Sequence, residues 1–164
     1  MRGRRWPALA VVATVVGLLV VAVGATLGSG PAIPPPSIAD AAFAARAGAL
    51  CDDVLPSIRS DRPDTGPENN LDAEEVAPRI ERAADGLDGL VARLDALAVA
   101  PADQAEVDRW LADWRAYVAV GRRYAATLAA GDTSTTAETG AETGRIGNRI
   151  FGFAQANGIA TCRP

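Results

Sequence analysis

The chain has 164 residues, nearly half of them apolar, and a net charge of −4. It contains neither histidine nor lysine, which removes the commonest general base and metal ligand, Schiff-base chemistry and a phosphate-loop lysine. Setting aside Arg2, Arg4 and Arg5 leaves 13 of 16 basic residues against 20 acidic ones, a balance of −7. That acidity argues against nucleic-acid binding through phosphate contacts.

Ala8 to Leu27 is free of charge and rich in Val, Leu and Ala. A helix of that length spans roughly 30 Å, the thickness of a bilayer's hydrocarbon core. The three arginines precede it, Trp6 sits at its edge, and the next charge is Asp40. The positive-inside rule predicts a cytoplasmic segment 1–7, a plasma-membrane helix 8–27 and an extracytoplasmic remainder. Val23-Gly24-Ala25 could serve as a signal-peptide cleavage site. Signal-peptide cores run to only about 7–15 residues, so an uncleaved anchor is the preferred reading, and both export the domain. Gly17, Gly24 and Gly28 share spacing that would suit a weak homodimer contact. Glycine is common in membrane helices, and that plainer reading is favoured.

Residues 28–36, GSGPAIPPP, form a Gly/Pro linker that favours an extended polyproline conformation. The domain proper is expected over 37–164. Ser37 and Asp40 resemble a capping box, and Phe43, Ala47, Leu50, Val54 and Ile58 mark the buried stripe of a first helix. Pro56 should end or kink it. Asp61 to Asn70 reads as a loop. Asp72 and Glu75 cap a second helix with a stripe of Ile80, Ala84, Leu87, Val91, Leu94 and Ala98, kinked or restarted at Pro78.

Pro101 separates the second and third helices. Val107, Leu111, Trp114, Val118, Gly121, Ala125 and Leu128 follow steps of four and three, with Gly131 as the stop. Gly131 to Thr143, with Ala-Glu-Thr-Gly twice in succession, reads as a mobile loop. A shorter fourth helix is expected from Gly144 to Asn157, with Gly158 left-handed and Ile159 closing over its last turn. The fold class is therefore all-α: a transmembrane helix, a Pro-rich linker and an up-down antiparallel four-helix bundle.

Cys51 and Cys162 are the two cysteines. An even count in an exported domain predicts one disulfide. They are not a CxxC pair and no metal ligand stands beside either, so no metal site is expected. Trp110, Trp114, Tyr117 and Tyr124 fall on one face of the third helix. Such a face could line a ligand pocket, but it is more often the core of a small bundle. Arg109 and Asp113 are spaced for a solvated i, i+4 pair, and Arg122 or Arg123 could also reach toward Asp113. The neighbouring carboxylates Asp52-Asp53 and Glu74-Glu75 point apart on a helix and make no catalytic dyad. Asp61-Arg62-Pro63-Asp64 lacks the alternation of a calcium loop.

The stretches D-W-R-A-Y (113–117), R-R-Y-A (122–125) and F-A-Q-A-N (153–157), followed by Cys162 and Pro164, resemble a group of actinobacterial single-pass membrane-anchored helical proteins. The resemblance covers helices three and four and the C-terminus. It departs before helix four, where Thr-Glu-Gly repeats replace a more apolar segment. It implies an envelope location and carries no activity. The expected function is a non-enzymatic, cofactor-free cell-envelope protein, its tethered domain acting on an envelope protein partner or supporting an envelope assembly. The alternative is an extracytoplasmic small-ligand-binding module using the aromatic face of helix three.

Overall fold

The computed structural model describes residues 35–61, 73–132 and 136–164. They form four helices: α1 (Ala41–Asp61), α2 (Ala73–Asp95), α3 (Gln104–Ala129) and α4 (Thr136–Ala156). No strand occurs among the described residues. None of their helices is long and apolar enough to cross a membrane. The expected span 8–27, its three glycines and most of the linker lie outside the described residues, as does Asp72.

Side-chain pairs between consecutive helices show the antiparallel order. Asp53 of α1 meets Arg93 of α2 at 3.5 Å, while farther along α1 Ile58 packs against Gly86. Arg115 of α3 reaches Asp95 of α2 at 3.0 Å, and Arg122 reaches Asp85 at 2.8 Å. Asp113 binds Arg149 of α4 at 2.6 Å, and Arg123 binds Glu142 at 3.0 Å. In each pair, numbers rise on one helix as they fall on the other.

The core draws on all four helices. Phe43, Ala47 and Leu55 of α1, Leu90 and Leu94 of α2, Trp110 and Trp114 of α3, and Ile150 and Ala154 of α4 are all buried. Trp110 is its hub. Its ring stacks on Phe153 at 5.0 Å between centroids and meets Phe43 and Trp114 edge-on. Its indole N–H donates to the Ile150 carbonyl at 3.3 Å. Cys51 and Cys162 are disulfide-bonded, with 5.1 Å between α-carbons, and both are buried.

The cap of α1 is Asp40, not Ser37, which is exposed and lies outside the helix. Asp40 accepts the Phe43 N–H at 2.8 Å through one oxygen and the Ala100 N–H at 2.9 Å through the other. Asp103, at the start of α3, gives no cap to its own helix. Its carboxylate instead accepts the N–H groups of Ala39 and Asp40 at 3.0 and 2.8 Å. Asn157 completes the clasp: Oδ1 accepts from Ile38 at 2.7 Å, and Nδ2 donates to Pro36 O at 3.2 Å. Three polar side chains thus fix the segment leading into α1, where backbone donors would otherwise lack partners.

The Phe43 and Ala100 amides, with Arg46 nearby, hold the Asp40 carboxyl below its ordinary value of 3.8. A depressed carboxylate pKa contributes stability above the unfolded value that is lost as pH falls through the folded one. Asp40→Asn should therefore be less stable than wild type at neutral pH. The gap should close as pH drops below 3.8. Urea midpoints measured across that range check it, and a pH-independent gap would contradict it.

Both internal prolines are carried through their helices. Pro56 and Pro78 are exposed, and α1 and α2 run past them unbroken. The carbonyl deprived of a partner by Pro56 belongs to exposed Asp52, where water can serve it. Leu55, buried beside it, and half-buried Ile58 hold the turn in place.

The fourth helix starts eight residues earlier than expected, at Thr136. The tetrapeptide repeat has a period of four, close to the helical turn, so its equivalent positions share a face. Thr139 and Thr143 fall on one half-buried face, and the Thr143 hydroxyl donates to the Thr139 carbonyl at 2.8 Å. Glu142 meets Arg123 on the adjoining surface. The helix ends follow expectation. Gly131 and Gly158 both have φ of 71°, and Ile159 N–H bonds to the Ala154 carbonyl at 2.9 Å, closing the last turn of α4.

Candidate functional site

The aromatic face of α3 divides in two along its length. Trp110 and Trp114 are 2% and 0% exposed and belong wholly to the core. Tyr117 and Tyr124, about one and three turns beyond Trp114, are half-buried and line a cleft of ≈650 Å³. That volume falls within the ~300–1,000 Å³ typical of small-ligand pockets.

Every helix contributes to the cleft. Leu55, Ile58 and Arg59 come from the last turns of α1, and Ile80, Ala83, Ala84 and Leu87 from the middle of α2. Tyr117, Val118, Gly121 and Tyr124 come from α3, and Thr139, Gly140 and Thr143 from α4. Pro164 closes one side. A β-carbon on Gly147 would lie 3.6 Å from Pro164 Cγ and 3.7 Å from Tyr117 Cε2, so Gly147 of α4 sits close to both Tyr117 of α3 and Pro164.

The cleft exists because small residues stand where a bundle would usually interdigitate large ones. Gly121 falls on the predicted α3 stripe, and a β-carbon there would meet only Ile80 Cγ2, at 3.9 Å. Ala83, Ala84 and Gly140 add no bulk. Sequence reasoning named Tyr117 and Tyr124 and missed Thr139, Gly140 and Thr143, which it read as loop. Arg59 and Pro164 carry no signal in a single sequence.

The surroundings are ion-paired. Arg122 is gripped by Asp85 at 2.8 Å, Asp88 at 2.7 Å and Glu81 at 3.9 Å. Hydrogen bonds to Asp85 and Asp88 raise its pKa above the ordinary arginine value. Asp113 pairs with Arg149 through bonds of 2.6–3.2 Å, which raises the guanidinium's pKa. The spacing-based pair Arg109–Asp113 does not form, because Arg109 turns to Glu106 and α4 brings Arg149 to Asp113. Arg122 and Arg123 likewise find partners elsewhere. Asp52 and Asp53 are exposed, and Asp53 is occupied by Arg93. Among the described residues, no three His, Cys, Asp or Glu side chains gather as a metal site would require.

An open depression of ≈860 Å³ also lies along α2 and α3, formed largely by Ala77, Pro78, Ala126 and Ala129. No protein-family model, curated protein or solved structure matches this chain.

Proposed function

We propose that this chain is a non-enzymatic envelope protein whose helical domain binds a small ligand in the cleft beside Tyr117 and Tyr124. Residues 8–27 anchor it in the plasma membrane with the N-terminus cytoplasmic. The arginine asymmetry about that segment and the Cys51–Cys162 disulfide, which suits an oxidising exterior, support the placement. The resemblance to actinobacterial membrane-anchored proteins agrees with it.

The ≈650 Å³ cleft carries the binding reading. It joins an apolar bore to hydroxyl-bearing Tyr and Thr residues, the composition expected of a small-molecule site. A protein partner would be anchored by large side chains such as Trp, Tyr or Arg in a packed patch. The α2–α3 depression is lined by four alanines with Pro78, Glu81, Arg82, Leu128 and Gly131 and holds no aromatic anchor, so the protein-partner role has less support.

Gly121→Leu tests the reading. The new side chain has room for its β-carbon and would project into the cleft. Replacing a helical glycine by leucine should also stabilise α3 by about 0.5–1 kcal/mol. Full-length protein in nanodiscs is screened with small amphipathic compounds, following intrinsic fluorescence and melting temperature. Compounds that shift the wild type should leave Gly121→Leu unshifted, although the variant melts no lower. Equal responses from both proteins would refute the cleft as the site.

A further inference from the structure

We propose that the cleft's ligand is a single-chain amphiphile with an anionic head, of the long-chain carboxylate class, its tail in the apolar bore and its head at Arg59. The proposal rests on the cleft being the binding site and specifies what it takes.

The bore is hydrocarbon on three sides. Leu55 and Ile58 of α1, Ile80 and Leu87 of α2, and Val118 of α3 face it, with no acidic residue among them. A tail sheltered there gains about fourfold in affinity for each methylene removed from water. Among the described residues, Arg59 is the one charged side chain that lines the cleft.

Six described arginines are occupied by carboxylates, whereas Arg59, like Arg46, is held by backbone carbonyls. Arg93, Arg109, Arg115, Arg122, Arg123 and Arg149 each pair with a carboxylate. No described carboxylate pairs with Arg59. Its Nη2 instead donates to the carbonyls of Thr161 at 3.0 Å and Arg163 at 2.8 Å. Those bonds orient the guanidinium while leaving Nε and Nη1 for a guest. Nε–H and Nη1–H lie on opposite edges of the guanidinium, so a carboxylate head takes one charge-assisted hydrogen bond there, not a two-pronged one.

The carbonyls that hold Arg59 flank Cys162, whose disulfide to Cys51 ties them to the same helix that carries Arg59. The cation is thus placed by a covalent strap rather than by a competing anion. Such pre-organisation lowers the ordering cost on binding. The acidic balance of the rest of the chain gives anions no long-range attraction, so selectivity must arise at this contact.

The experiment is calorimetric titration of the full-length chain in phosphatidylcholine nanodiscs, with empty discs as blanks. The probes are octanoate, decanoate, decanol and decyltrimethylammonium. Decanoate should bind about tenfold tighter than decanol, a charge-assisted contact discounted for Arg59's exposure. Decanoate should also bind roughly an order of magnitude tighter than octanoate, from two further methylenes. Arg59→Gln should bring decanoate down to the level of decanol, abolishing the tenfold preference, and Arg59→Lys should keep part of it. Equal binding of decanoate and decanol to wild type, tighter binding of the ammonium probe, or an Arg59→Gln variant that keeps the preference would overturn the anionic head. If Gly121→Leu still blocked both probes in that case, the cleft reading would stand without this one. If Gly121→Leu blocked neither, both would fall. Loss of the decanoate heat when the disc lipid is exchanged for phosphatidylglycerol would make a bilayer lipid the occupant, and would overturn the free carboxylate.

Discussion

Replacing Cys51 and Cys162 together by alanine is expected to cost the domain about 4 kcal/mol, close to what chain entropy assigns to so long a loop. The bond joins positions 111 residues apart, so its loss frees nearly the whole described domain in the unfolded state. Both sulfurs are buried, and alanine avoids placing unpaired hydroxyls there, as serine would. On a domain of this size the melting temperature should fall by on the order of 10–15 °C. Ile159 should remain docked, since it is 3% exposed and closes the α4 cap through its own N–H. Beyond it, Thr161 to Pro164 lose their tether, and with it the carbonyls that orient Arg59 and the proline that walls the cleft. Ligand affinity should therefore drop even at temperatures where the domain is folded. Urea unfolding with and without reductant reads the first effect. Wild type should lose stability under reductant while the double variant does not respond. Coincident curves for wild type and variant without reductant would contradict the prediction.

The features legible in the sequence are those decided by local chemistry. The α3 stripe is one: Val107, Leu111, Trp114, Val118, Ala125 and Leu128 are all buried as the four-three steps require. Gly158 and Ile159 are another, because a left-handed C′ residue followed by an apolar one leaves few alternatives. The cysteine pair was legible for a simpler reason, since two cysteines allow one intrachain bond.

The features that the sequence does not show depend on partners distant in the chain. Asp103 looks like an ordinary helix cap, yet its carboxylate serves the backbone at 39 and 40 across more than sixty positions. Asn157 looks like a helix end and holds Pro36 and Ile38. The Ala-Glu-Thr-Gly repeat has no large apolar residue, so it shows no buried stripe. What holds it is tertiary: Glu142 meets Arg123, and Thr139 and Thr143 face the cleft. The same dependence hid half of the candidate site. Four aromatics on one helical face looked equivalent, but which pair lies in the core is settled by what α1 and α4 bring opposite them. Phe43 and Phe153 cover Trp110, whereas small Gly140 and Gly147 lie near Tyr117 and Tyr124.

That difference in surroundings should also separate the two tryptophans energetically. Truncating either to alanine removes a fully buried indole and should cost about 3–5 kcal/mol. The phenylalanine variants are more informative, because they keep most of the apolar volume while reducing the fused indole to a single ring without an N–H. In Trp110→Phe a donor to the Ile150 carbonyl disappears, together with part of the stack on Phe153. In Trp114→Phe the deleted N–H is buried with no hydrogen-bond acceptor among the described residues, so its removal relieves a desolvation cost. Trp114→Phe should therefore be the milder change by about 1 kcal/mol, although Trp114 is the more buried of the two. Equilibrium urea midpoints of the two variants decide the order. If Trp114→Phe proves as costly as Trp110→Phe, the Trp114 indole is engaged by a partner. Because Trp114 packs edge-on against Tyr117, such a partner would have to lie toward the cleft or within the core beside it.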